Sequence, residues 1–138
     1  FAQYSIDANS QIIQYDYNGN IIRNVKTDLQ GTISGFSGKD NEKDIYFSFT
    51  NYITPRATYK YNVENGESTL YWKPNIDFNS QEYVSFQTFY HSKDSTRIPI
   101  TITHKKGLIL NGENPTILYG YGGFNISIKP RFNIKNIW

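Results

Sequence analysis

Apolar residues in this chain alternate with polar ones far more often than they recur at helical spacing. In residues 44–52, Ile45, Phe47 and Phe49 fall at period two, the pattern of a strand with one face turned inward. Residues 12–17 and Ile21–Val25 read as a hairpin around Asn18-Gly19-Asn20. Asn-Gly is a strong hairpin signal because both residues tolerate positive φ. Residues 31–37 predict another short strand, followed by a polar loop over 38–43. Pro55 breaks the pattern. Residues 58–63 and Ser68–Trp72 then flank a second turn, Glu64-Asn65-Gly66-Glu67, and Pro74 closes the run.

The two Asn-Gly turns sit in similar surroundings, Tyr15-Asp16-Tyr17 before the first and Tyr59-Lys60-Tyr61 before the second. Gly19 and Gly66 lie 47 residues apart. A four-stranded unit recurring at about 40–50 residues is the signature of β-propeller blades. A β-meander with two similar turns explains the same pattern.

After Pro74 the texture changes. Residues 75–80 read as a linker, which puts a domain boundary near residue 75. Residues 82–90 and 98–104 form a further hairpin pattern, turned by Lys93-Asp94-Ser95. A mostly polar loop over 105–114 leads to Pro115-Thr116-Ile117-Leu118-Tyr119, which predicts a short buried strand. It runs straight into Gly120-Tyr121-Gly122-Gly123-Phe124.

Composition agrees with the pattern. The 138 residues include 23 aromatics and 18 Ile but only 3 Ala and 5 Leu, which excludes an all-helical protein. Zero Cys excludes disulfides, thiolate metal sites and a cysteine nucleophile. Fourteen basic and 12 acidic residues leave a net charge of +2, too little for an electrostatic nucleic-acid binder. No apolar run is long enough for a membrane-spanning helix. With no Met, a start at Phe1 and a stop at Trp138, the chain is expected to be a segment of a larger protein.

Residues 120–123 are the stretch that most demands a chemical reason. Glycines at a strand end leave backbone N–H groups free and let a ligand approach the main chain. A tyrosine hydroxyl held there can donate to an oxyanion; a plain glycine turn is the alternative. The other motifs fail. There is no third glycine for a dinucleotide fingerprint and no phosphate-loop Lys. Gly35-Phe36-Ser37-Gly38 is one residue short of a nucleophile elbow. His91 and His104, the only histidines, lie in strand context, which favours solvent-facing or hydrogen-bonded roles over catalysis. No His, Asp or Glu cluster has metal-ligand spacing. Asn125-Ile126-Ser127 fits the glycosylation pattern but follows a strand end expected to be buried.

The nonapeptide Tyr119-Gly120-Tyr121-Gly122-Gly123-Phe124-Asn125-Ile126-Ser127 resembles the strand-end motif of prolyl oligopeptidases. Phe89-Tyr90-His91-Ser92-Lys93-Asp94, Arg97-Ile98-Pro99-Ile100 and His104-Lys105-Lys106-Gly107-Leu108 resemble the approach to it. Tyr46-Phe47-Ser48-Phe49-Thr50 and Thr54-Pro55 are similar to the last propeller blade of that family. The Gly-Phe-Asn continuation favours the prolyl type over the sister group with basic specificity. Ser95 stands where that family usually has Gly, and Arg56-Ala57 where Gly-Thr is common.

The resemblance implies a mostly β chain. Residues 1–74 would be the end of a β-propeller, and residues 75–138 the first strands of an α/β-hydrolase domain. It implies a serine endopeptidase that cuts short peptides on the carboxyl side of proline. Tyr121 would be the oxyanion-hole donor and Phe124 would line the substrate pocket. The Ser, Asp and His of the triad would lie downstream of the motif, so no residue here takes those roles and this chain alone would be inert. No cofactor, metal, nucleic acid or membrane is expected. The whole enzyme would be a cytoplasmic, or alternatively periplasmic, monomer acting on short proline-containing peptides. A sister oligopeptidase with basic specificity and a non-catalytic β-propeller binding module are the alternatives.

Overall fold

The computed structural model describes residues 1–25 and 30–137. Trp138, where the chain stops, lies outside the described residues. Nine strands form three antiparallel units among the described residues. The first is a meander of β1 (Ala2–Ile6), β2 (Asn9–Tyr15) and β3 (Ile21–Val25). Strands β4 (Thr32–Ser37), β5 (Asp44–Thr50), β6 (Ala57–Asn62) and β7 (Ser68–Trp72) make the second, and β8 (Tyr83–His91) pairs with β9 (Arg97–Lys105) in the third.

The two meanders repeat. Strands β3 and β7 begin and end 47 residues apart, and β2 and β6 end 47 residues apart. Gly19 and Gly66 hold φ of 85° and 80°, the left-handed region that their turns require. The flanking side chains close the turns. Asp16 accepts from the Asn18 and Asn20 amides at 2.9 and 2.8 Å, and Asn62 Oδ1 accepts from Glu64 and Asn65 at 3.0 and 3.1 Å.

The period-two residues of β5 all point into the core. Ile45, Phe47 and Phe49 are buried with Ile12, Val25, Ile33 and Tyr61. Each such side chain contributes about 1.5–3 kcal/mol of transfer free energy. Phe1, Phe36, Phe47 and Tyr59 stack in a row with centroids 4.9, 5.0 and 5.4 Å apart. Gly31 lets the chain pass this core closely: a Cβ there would lie 2.6 Å from both the Phe49 ring and the Thr50 carbonyl oxygen. Polar contacts join the meanders. Gln3 Nε2 donates to Ile33 O at 2.8 Å, Ser10 N donates to Gly31 O at 3.0 Å, and Arg23 Nη2 donates to Glu64 O at 2.7 Å.

Strand β1 was not foreseen in the sequence. Its turn uses Asp7 and Ala8 at φ of 48° and 63°; Asp tolerates that region, but Ala does not announce it and no glycine marks the turn. Pairing with β1 also starts β2 at Asn9, earlier than the pattern predicts.

Residues 115–119 depart from expectation. They form no strand and are open to solvent, with Ile117 87%, Leu118 82% and Tyr119 75% exposed. A strand needs a neighbour to take its backbone N–H and C=O groups, and none lies beside this segment among the described residues. The chain then returns to the second meander. Thr32 Oγ1 donates to Pro130 O at 2.7 Å, Phe132 N donates to Thr50 Oγ1 at 3.2 Å, and Phe132 packs 5.0 Å from Phe78.

Candidate functional site

The glycine-rich stretch folds into a compact turn. Ile126 N donates to Gly123 O at 3.0 Å, across Phe124 and Asn125 at φ of 53° and 56°. Positive φ at both central positions is the pattern of a primed turn. Asn tolerates it; a bulky Phe in this region is an outlier of the kind that clusters at functional sites.

Tyr121 turns back over this turn. Its hydroxyl lies 2.8 Å, and Cζ 3.0 Å, from the position that a Cβ on Gly123 would take. Glycine at 123 is what lets the phenol lie against the main chain. The neighbouring glycines do not share this role, since a Cβ on Gly120 or Gly122 meets nothing within 4 Å. The Tyr121 side chain is about half exposed, and its hydroxyl pairs with no group among the described residues. Phe124 is 92% exposed. The structure therefore brings Tyr121 and Gly123 together and leaves Phe124 projecting from the same turn. Asn125, Ile126 and Ser127 are exposed, not buried as the sequence suggested.

The remaining candidates stay structural. His104 Nδ1 lies 2.9 Å from Lys105 O, and its ring meets Phe86 edge-on at 6.3 Å. His91 ends β8 in solvent. No group of three His, Asp or Glu side chains is placed to hold a metal among the described residues. Across the β8–β9 turn, Ser95 holds φ of 66°. The Ser92 hydroxyl and the Thr96 amide hold the Asp94 carboxyl down at about 2.

Sequence reasoning missed one surface feature. A groove of about 370 Å³ opens between the second meander and the returning tail, with Arg56, Trp72, Arg131 and Phe132 among its walls. The residues come from distant parts of the chain, so no local motif marks them.

Two successive antiparallel meanders with a 47-residue repeat are the kind of unit that recurs in β-propeller blades. Residues 1–74 match the family described as "Prolyl oligopeptidase, N-terminal beta-propeller domain". The chain belongs to the prolyl oligopeptidase family. It is 55% identical over 139 residues to the prolyl endopeptidase of Elizabethkingia meningoseptica, covering 100% of this chain and 20% of that protein. Against the prolyl endopeptidase of Dictyostelium discoideum it is 37% identical over 141 residues, covering 100% of this chain and 18% of the relative. Among solved structures, one comes from a study of two prolyl endopeptidases and the role of their inter-domain dynamics in catalysis and specificity. It superposes with a TM-score of 0.85 at 37% identity, over 95% of this chain and 19% of that one. Prolyl oligopeptidase B of Galerina marginata, bound to a 35mer hydrolysis and macrocyclization substrate, gives a TM-score of 0.86 over 99% of this chain and 19% of that one. At 24% identity it shows the fold alone. The chain spans about a fifth of the length of the relatives it matches.

Proposed function

We propose that this chain is part of a serine endopeptidase that hydrolyses short peptides on the carboxyl side of proline. The 55% identity to a prolyl endopeptidase along the whole chain supports the prolyl type over basic specificity and over a non-catalytic binding module. Residues 75–138 belong, in this reading, to the start of an α/β-hydrolase domain. The open apolar segment 115–119 pairs there with strands outside this chain. The nucleophile and its Asp and His partners also lie outside it, so the chain by itself is inactive. The enzyme works as a monomer in the cytoplasm, or alternatively the periplasm, on proline-containing peptides.

Tyr121 carries the chemistry available here. Acyl transfer by a serine nucleophile puts negative charge on the former carbonyl oxygen only as the tetrahedral state forms. A donor aimed at that oxygen stabilises the transition state more than the bound substrate. The observation that carries the assignment is the Tyr121 hydroxyl held against Gly123 and claimed by no group among the described residues. Phe124, projecting from the same turn, supplies an apolar wall for the substrate.

The test is Tyr121→Phe in the full-length protein. Removing one oxyanion donor costs about 10²–10³ in turnover. We expect a fall of that size in kcat with KM little changed. Unchanged kcat refutes the role.

A further inference from the structure

Asn9 opens β2 directly after the left-handed pair Asp7 and Ala8. Its Nδ2 donates to Asp7 O at 3.2 Å. That bond fixes the amide, because the flipped form would set two oxygen acceptors against each other. Oδ1 is buried and has no hydrogen-bond partner among the described residues. Buried acceptors without donors are rare and call for an explanation.

The same residue lines a small cavity at the meeting point of all three units. Asn51 and Tyr52 reach it from the end of β5, and Ser85, Phe86 and Thr101 reach it from the β8–β9 hairpin. About 10 Å³ of it is open to a water-sized sphere. A single water needs about 10–15 Å³ and two to four polar partners, whereas cavities that stay dry are apolar. The residues around it include Tyr52, Thr101 and Ser85, whose hydroxyl also pairs with Thr103 Oγ1, while the Asn51 amide is already held by Gln30 O and Ile53 N. Burial pushes the Tyr52 phenol up, so it remains a neutral hydroxyl able to donate and to accept.

We infer that this cavity is a binding site for one structural water, which donates to Asn9 Oδ1 and bonds to hydroxyls of Tyr52 and the hairpin. The size matches one molecule, and water supplies the donor that Oδ1 lacks. The site adds a buried attachment to two exposed ones on the same turn. Gln87 Nε2 donates to Asp7 O at 2.6 Å, and Arg97 pairs with the Asp7 carboxylate at 3.6 Å. Water-bridged contacts are nearly as favourable as direct ones. The hairpin is thus docked on the first meander through a partly wet seam.

A high-resolution crystal structure of the full-length protein, native and Asn9→Leu, tests this. The native map should show a fully occupied water within hydrogen-bond distance of Asn9 Oδ1 and of at least one hydroxyl. Asn9→Leu should lose that water and keep the contact between Gln87 and Asp7. A native map with no water there, or with a protein donor on Oδ1, overturns the inference. The native map decides alone if the variant fails to fold.

Discussion

The Tyr61 hydroxyl donates to Oε1 of Gln14 at 2.7 Å, joining corresponding positions of two successive repeats. Each is the penultimate residue of its strand, and they are separated by the same 47 residues as the turn glycines. Both are buried, and Gln14 Nε2 donates onward to Val63 O at 2.9 Å. The pair is a satisfied polar link inside an otherwise apolar core.

Tyr61→Phe is expected to break that link and leave Oε1 of Gln14 buried without a donor. Such a loss costs about 1–3 kcal/mol. Denaturant unfolding of the full-length protein, followed by a probe in the propeller, should register a cost in that range. Burial also pushes the Tyr61 phenol up, against the nearby charge of Arg23. Because the folded state holds this proton more tightly, its contribution is complete below the ordinary tyrosine value near 10 and is lost as pH rises through the folded value. Burial pushes Tyr52 up in the same way, so native protein should show a steeper alkaline loss of stability than Tyr61→Phe rather than the only one.

Gly123→Ala and Gly122→Ala should separate sharply. Only the first puts a methyl where the Tyr121 hydroxyl lies, 2.8 Å away. In the full-length protein we expect Gly123→Ala to lower turnover by less than the about 10²–10³-fold of Tyr121→Phe, because the phenol is displaced but keeps its hydroxyl. Gly122→Ala should stay near native, since its Cβ meets nothing. Equal kcat values for the two alanine variants would count against the positioning of Tyr121.

The β8–β9 turn has a titration signature. Asp94 sits at about 2 against an ordinary 3.8, chiefly through the Ser92 hydroxyl. Its lowered value means the turn gains stability above the ordinary carboxylate value and loses it as pH falls through about 2. A ¹³C NMR titration of the Asp94 carboxyl should find a midpoint near 2. A midpoint at the ordinary value would mean that the turn does not hold Asp94 as described.

Much of this arrangement is legible in the sequence because it is set locally. Ile45, Phe47 and Phe49 read as an inward face at period two and are buried. The turns at Gly19 and Gly66 read from Asn-Gly and carry positive φ. What failed was set by distant partners or by unusual backbone. The Asp7-Ala8 turn uses no glycine, so its signal, Asp and Asn around an Ala, is weaker than the Asn-Gly of the other turns. Residues 115–119 look like a buried strand, but apolar composition does not supply the neighbouring strand that pairing requires. Tyr121 and Phe124 were legible as a motif. The fold of the phenol over Gly123 was not, because it depends on the turn closed by Ile126 and Gly123.

The central claim is cleavage after proline. Its most direct test is digestion of a mixed peptide library by the full-length protein, with cut sites read by mass spectrometry. The account predicts cuts mainly on the carboxyl side of proline in short peptides. Cuts after Lys or Arg, or no cutting at all, would contradict it.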